Sequence, residues 1–174
     1  VKTRDKLRIL LVNVESFATA KVIKYLEAFT HRSNFMLAVD ESTTIKNIKA
    51  KRTKSVLRLG ESAKYKRILT GSPITQSPMD LYSQCCFLDK DLLGFDSYWS
   101  FQGRYAIIRQ TRMGNHSFQQ VVGFKNLEEL TDKLHNFAYR VTKEQALDLP
   151  EKIYTTREVV LTSDQLKHYN SMKD

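Results

Sequence analysis

The residues best suited to chemistry are two consecutive carboxylates, Asp40 and Glu41, which follow the apolar run Phe35-Met36-Leu37-Ala38-Val39. A run of strand length that is apolar throughout suits a strand buried on both faces of a parallel sheet. In open α/β sheets ligands bind beyond the carboxyl ends of the strands, so both acids would emerge at that edge. There one acid can hold a hydrated Mg²⁺ beside phosphate groups while the next orients and deprotonates an attacking water. A strand that simply ends in a polar turn leaves the same two residues, and the pair alone does not separate the two readings. A second segment, Ile68-Leu69-Thr70-Gly71-Ser72-Pro73-Ile74, places the hydroxyls of Thr70 and Ser72 at another strand end, where Gly71 lets backbone approach closely. An ordinary Gly-Ser-Pro turn has the same composition.

Charge supplies the third signal. Residues 1–70 carry 16 Lys and Arg against 6 Asp and Glu, and the remainder carries 12 against 13. The stretch from Lys46 to Arg67 holds nine basic residues (Lys46, Lys49, Lys51, Arg52, Lys54, Arg58, Lys64, Lys66 and Arg67) and one acid, Glu61. Such a bias is the footprint of a phosphate-backbone partner, or else a solvated helix face. The four histidines, His31, His116, His135 and His168, lie far apart with no metal-ligand spacing. Cys85 and Cys86 are adjacent, which gives neither a disulfide framework nor a zinc site and suits a reducing cytoplasm.

The elements that must position these residues follow from pattern. Lys6–Asn13 and Phe35–Val39 read as strands joined by an amphipathic helix over Ala18–Phe29, with Ala18, Val22, Leu26 and Phe29 on one stripe. Ala50–Ala63 reads as a basic helix leading to a third strand, Tyr65–Leu69. Strands alternating with helices imply an α/β domain with a parallel sheet. Beyond Pro73 the expectation is a helix over Met79–Leu88 and a short one over Ser97–Gly103. A hairpin follows, Tyr105–Gln110 with Phe118–Val122, turning at Met113-Gly114-Asn115-His116. Asn126 caps a helix to Phe137, Ile153–Leu161 reads as a strand, and Ser163 caps a last helix. No apolar run reaches the roughly 18 residues of a membrane-spanning helix, so no membrane partner is expected. The 174 residues, 41% hydrophobic and 10% aromatic, exclude a disordered tail.

In order, Asp40-Glu41-Ser42-Thr43-Thr44-Ile45-Lys46-Asn47, a basic helix and Leu69-Thr70-Gly71-Ser72-Pro73-Ile74 resemble motifs II and III of superfamily-two ATPases, and more narrowly those of the Swi/Snf DNA translocases. Asp80-Leu81-Tyr82 with Phe87-Leu88 resembles the helix after motif III. Arg140-Val141-Thr142-Lys143, Leu149-Pro150-Glu151-Lys152 and Leu161-Thr162-Ser163-Asp164-Gln165 resemble the exit from the first lobe. The Glu-Ser-Thr variant and the Leu-Asp-Leu-Pro-Glu-Lys ending look most like the phage-encoded branch.

The resemblance implies the C-terminal part of a RecA-like P-loop NTPase lobe over residues 1–150, α/β with a parallel sheet. A mostly helical insertion would occupy about 94–138, with 151–174 leading towards a second RecA-like lobe of the same full-length chain. It implies ATP and Mg²⁺ as cofactors, Asp40 as the metal residue, Glu41 as the general base, and Thr70, Gly71 and Ser72 as the coupling motif. Lys46, Asn47, Lys49, Lys51, Lys54 and Ser16 would touch nucleic acid, expected to be double-stranded DNA, in the cytoplasm (of the host, if phage-encoded). Arg140 and Lys143 would be hinge or surface residues, and Trp99, Phe101 and Tyr105 would pack the insertion.

Two departures stand out. The family's second motif usually ends Ala-His, where this chain has Ser42 and Thr43. No glycine precedes a lysine, so the phosphate-cradling Gly-Lys-Ser/Thr loop is expected upstream, in a longer protein. The competing readings are a non-catalytic basic α/β module that binds nucleic acid, and a nuclease. The Glu-x-Lys that often completes a nuclease site has no suitably placed counterpart.

Overall fold

The computed structural model describes residues 7–31, 34–113, 116–148, 150 and 153–173. They form two compact units, 1–137 and 138–174. In the first, a 3₁₀ turn (Val14–Ala18) precedes helix α1 (Ala20–Thr30), and strand β1 (Met36–Val39) leads through a second 3₁₀ turn (Ser42–Ile45) to α2 (Lys51–Glu61) and strand β2 (Tyr65–Ile68). The two strands pair in parallel, Met36 opposite Tyr65 and Val39 opposite Ile68, as a strand–helix–strand crossover requires. Helix α2 forms because Thr53, Val56, Leu59 and Gly60 recur on one face and are buried, while Lys51, Lys54 and Arg58 take the other. Gly60 lets the ring of Phe87 pack closely against the helix. A Cβ there would lie 3.1 Å from the Phe87 ring.

A short 3₁₀ turn (Pro78–Asp80) opens α3 (Leu81–Leu88), which is buried on nearly every side. Its Phe87 belongs to the core of the α/β layer, with Phe17, Leu26, Val39, Ile45, Val56 and Leu59. Its Leu81, Tyr82 and Cys85 belong to a second core, with Met79, Leu93, Phe101, Tyr105, Ala106 and Leu130. That second core is built by α4 (Tyr98–Tyr105), the antiparallel hairpin β3 (Ala106–Met113) and β4 (His116–Phe124), and α5 (Leu127–His135). Ser97 caps α4 reciprocally with Ser100. Aromatic rings fill the core, Phe101 lying 4.9 Å from Tyr105 and 5.3 Å from Tyr82 between centroids. The Tyr105 hydroxyl donates to Glu129 Oε1 at 2.9 Å and Arg104 pairs with the same carboxylate, docking α5 on α4. The second unit carries α6 (Lys143–Ala146) and α7 (Ser163–Ser171).

Several expectations need correction. Leu7–Asn13 is not a strand; Leu7, Ile9 and Leu11 stand exposed, Leu11 at 91%. Ile153–Leu161 is not a strand either, with Val160 at 94%. An apolar run becomes a strand only where a neighbour completes its hydrogen-bond ladder, and among the described residues neither run has one. Strand β1 is not buried on both faces, since Met36 and Ala38 are exposed while Val39 is buried.

The segment expected to be mostly helical is half hairpin, because Ala106–Met113 and His116–Phe124 suit strands better than helices. Ala18 lies exposed in the 3₁₀ turn rather than on the α1 stripe. Asn126 stands at the N-cap of α5 as expected, but its side chain makes no capping hydrogen bond. It adopts a left-handed backbone (φ 54°), which turns its side chain away, and its Nδ2 donates instead to the Arg104 carbonyl at 2.9 Å. Thr162 rather than Ser163 caps α7, since only Thr162 stands three residues before Gln165 and exchanges hydrogen bonds with it. Phe101 and Tyr105 pack as expected, but Trp99 is 63% exposed. Positions 101 and 105 share a helix face, and 99 falls off it. Lys6, Gly114, Asn115, Leu149, Glu151 and Lys152, on which parts of these expectations fall, lie outside the described residues.

Candidate active-site edge and nucleic-acid interface

Asp40 and Glu41 follow the last residue of β1 and are solvent-exposed, at the carboxyl edge of the parallel pair. The ladder runs on past the strands. Leu69 N donates to Val39 O at 2.9 Å, and Ser42 N donates to Leu69 O at 3.0 Å, so the chain after Asp40-Glu41 is stitched to the residue before Thr70. Asp40 Oδ1 accepts from the Glu41 amide at 3.0 Å, which fixes its carboxylate at the strand end. Glu41 itself has φ 47°, ψ 58°. A glutamate in the left-handed region costs about 1–2 kcal/mol, strain of the kind that gathers at functional sites.

Thr70, Gly71 and Ser72 therefore share this edge with the acids. The hydroxyl of Thr70 accepts from Ser72 N at 3.2 Å and that of Ser72 donates to Ile74 O at 2.9 Å, so both shape their own loop. Gly71 faces open space. The side-chain link between the two segments is made elsewhere. Ser42 is fully buried, and its Oγ donates to Gln84 Oε1 at 2.6 Å. Gln84 Nε2 donates onward to Pro73 O at 2.8 Å and to Asp80 O at 2.7 Å. This relay joins the residue after Glu41 to the loop after Thr70 through α3.

The chain matches the SNF2-related domain over residues 2–174. It belongs to that family. Within it, this SNF2-related chain is 33% identical over 132 residues to the SWI/SNF-related matrix-associated actin-dependent regulator of chromatin subfamily A-like protein 1 of Drosophila melanogaster, covering 76% of this chain and 16% of that protein. It is 34% identical over 152 residues to the TATA-binding protein-associated factor BTAF1 of Arabidopsis thaliana (86% and 7%). To the helicase-like transcription factor of Homo sapiens it is 30% identical over 142 residues (78% and 13%). The chain thus spans less than a fifth of the length of each of these relatives.

In this SNF2-related fold the nucleic-acid candidates fall into four groups. Lys46 is committed locally, its Nζ bonding Thr75 Oγ1 at 2.5 Å and lying 3.5 Å from Asp80 Oδ2. Burial pushes the Asp80 carboxyl up, but hydrogen bonds from Gln76 N and from the hydroxyl and amide of Thr75, with the Lys46 charge, outweigh it and hold Asp80 below its ordinary range. Asn47 accepts from Lys49 N at 2.9 Å, which shapes the turn into α2, and Lys49 lies over the Trp99 ring, 5.5 Å from its centroid. Lys51 and Lys54 stand on the solvent face of α2 with no carboxylate in ion-pair distance among the described residues. Arg58 is paired with Glu27. Ser16 sits apart in the first 3₁₀ turn, which meets the start of α2 where Arg52 approaches Glu15 at 4.0 Å.

Both cysteines are held towards the protonated thiol. Burial and the neighbouring Cys86 push the Cys85 thiol up to about 12, and burial also raises Cys86. Reasoning from the sequence missed Gln84. Its signal was an amide inside the otherwise apolar run Leu-Tyr-Ser-Gln-Cys-Cys-Phe-Leu, since a buried amide must find partners.

Proposed function

We propose that this chain forms part of the first RecA-like lobe of an ATP-dependent translocase that moves on double-stranded DNA. The observation that supports it best is the meeting of Asp40-Glu41 with the Thr70–Ser72 loop at one carboxyl edge of a parallel sheet, the place where such sheets bind ligands. Glu41 would take the proton of the water that attacks the γ-phosphate. Asp40 would hold Mg²⁺ through water. The donor set suits that ion, which is usually bound by one or two carboxylates plus phosphates and water. Among the described residues no three acids, histidines or cysteines gather into a closed metal cage. Mg²⁺ would supply charge neutralisation between the phosphates.

Ser42, standing where the family usually has alanine, would carry the response of the acidic segment to Gln84 and the Pro73 loop. The phosphate-cradling loop and the second lobe belong, on this reading, to the longer protein. The 174 residues alone are expected to release no phosphate on adding DNA.

The deciding experiment is Glu41→Gln in the protein that contains this chain. Gln keeps the size but accepts no proton, so DNA-stimulated turnover should fall by about 10²–10⁴ while ATP affinity holds. Near-normal turnover under saturating DNA would overturn the assignment.

A further inference from the structure

A groove of about 490 Å³ opens between the Lys46–Lys49 turn, the Gln76–Asp80 segment before α3, helix α4 and the hairpin, within the first unit. That volume lies in the range of small-ligand sites. Trp99 and Lys49 form one wall, Gln102 and Gln119 offer amides, and Ile108 supplies apolar floor. Among the described residues the only carboxylate lining it is Asp80, whose Oδ2 is held by the Thr75 amide and hydroxyl, the Gln76 amide and, at 3.5 Å, Lys46 Nζ. Lys49 has no carboxylate in ion-pair distance among the described residues, and its cation rests on the Trp99 indole. An incoming anion can therefore take Lys49 without breaking an ion pair and uncover an aromatic face beside it. A phosphate with a flat ring attached satisfies both groups together, and the amides can meet the ring's polar edge.

We propose that this groove holds one unpaired nucleotide of a nucleic-acid strand, the base stacked on Trp99 and its phosphate on Lys49. The inference rests on the nucleic-acid reading above and adds the strand state. An indole face can stack only on a base whose own face is free, which in a duplex means an end or an extruded nucleotide.

Trp99 is the single tryptophan of the 174-residue chain, so its emission reports the site directly. The chain would be titrated at low salt with an oligothymidylate of about twelve nucleotides, with an abasic strand of equal charge, with a relaxed closed circular duplex, which has no ends, and with polyglutamate. Labelled copies would give affinity by anisotropy. Emission should be quenched by the oligothymidylate and restored by salt, while the abasic strand binds without quenching. Trp99→Ala should weaken oligothymidylate about tenfold and leave the abasic strand unchanged, and Trp99→Phe should restore most of the loss. Binding with unchanged emission, equal quenching by duplex or polyglutamate, or equal weakening of both strands would overturn the groove assignment and leave the basic surface standing. Absence of binding to any strand would bring down the underlying reading as well.

Discussion

Replacing Gln84 with leucine, and Ser42 with alanine, separately and together, measures the buried relay between the acidic segment and the loop after β2. Both residues are essentially inaccessible, Ser42 at 0% and Gln84 at 1% exposure. Ser42→Ala leaves Gln84 Oε1 without its donor, at about 1–3 kcal/mol for an unsatisfied buried group. Gln84→Leu is close in volume but strands the Ser42 hydroxyl and gives up the bonds to the Pro73 and Asp80 carbonyls. With roughly 0.5–1.5 kcal/mol for each of those two bonds added, its cost is about 2–6 kcal/mol. The double variant has neither orphaned oxygen nor orphaned hydroxyl at the shared bond. It should therefore be more stable than the sum of the single losses predicts, by about 1–3 kcal/mol. Urea unfolding followed by far-ultraviolet circular dichroism reads these as shifts in midpoint at constant slope. Additivity within about 0.5 kcal/mol, or a neutral Gln84→Leu, would refute the claim that the relay joins the two segments.

Glu41→Gly should raise stability by about 0.5–1 kcal/mol, because glycine adopts φ near 47° without strain, while turnover in the full protein is lost. Glu41→Gln, which keeps the left-handed backbone strain, should leave the melting temperature unchanged, and a loss of stability in the glycine variant would count against strain at this position. Asp80 contributes to acid stability with a definite sign. Its carboxyl lies below its ordinary value of 3.8, so its contribution is whole above about pH 4 and disappears as the pH falls through the lower folded value. Asp80→Asn should flatten that part of the acid unfolding curve, and an unchanged curve would remove Asp80 as its source.

The α/β half of the first unit was legible because its signals are local. The apolar stretch before Asp40, the one-faced burial of α2 and the strand after it need only neighbours in sequence to be recognised. Leu7–Asn13 and Ile153–Leu161 carry the same apolar signature, but pairing depends on a partner that periodicity does not report. The acids and the Thr70–Ser72 loop were found as types at strand ends. The relay was not, because Gln84 meets Ser42 across 42 positions and its chemistry lies in that contact. Trp99 was read with Phe101 and Tyr105 on composition, although helical spacing alone separates it from them.

Helix α3 serves both hydrophobic cores, Phe87 in one and Leu81, Tyr82 and Cys85 in the other. Two cores that share a helix cannot melt one at a time. Releasing the hairpin and its flanking helices strips α3 of half its cover, and releasing the α/β layer strips the other half. The first unit therefore behaves as one cooperative block, in which amide protection should be uniform across α3 and its neighbours rather than graded between layers. The same sharing makes α3 a stiff beam. A displacement at the Asp40-Glu41 edge reaches the hairpin and its flanking helices through eight residues of helix with no loop between to absorb it.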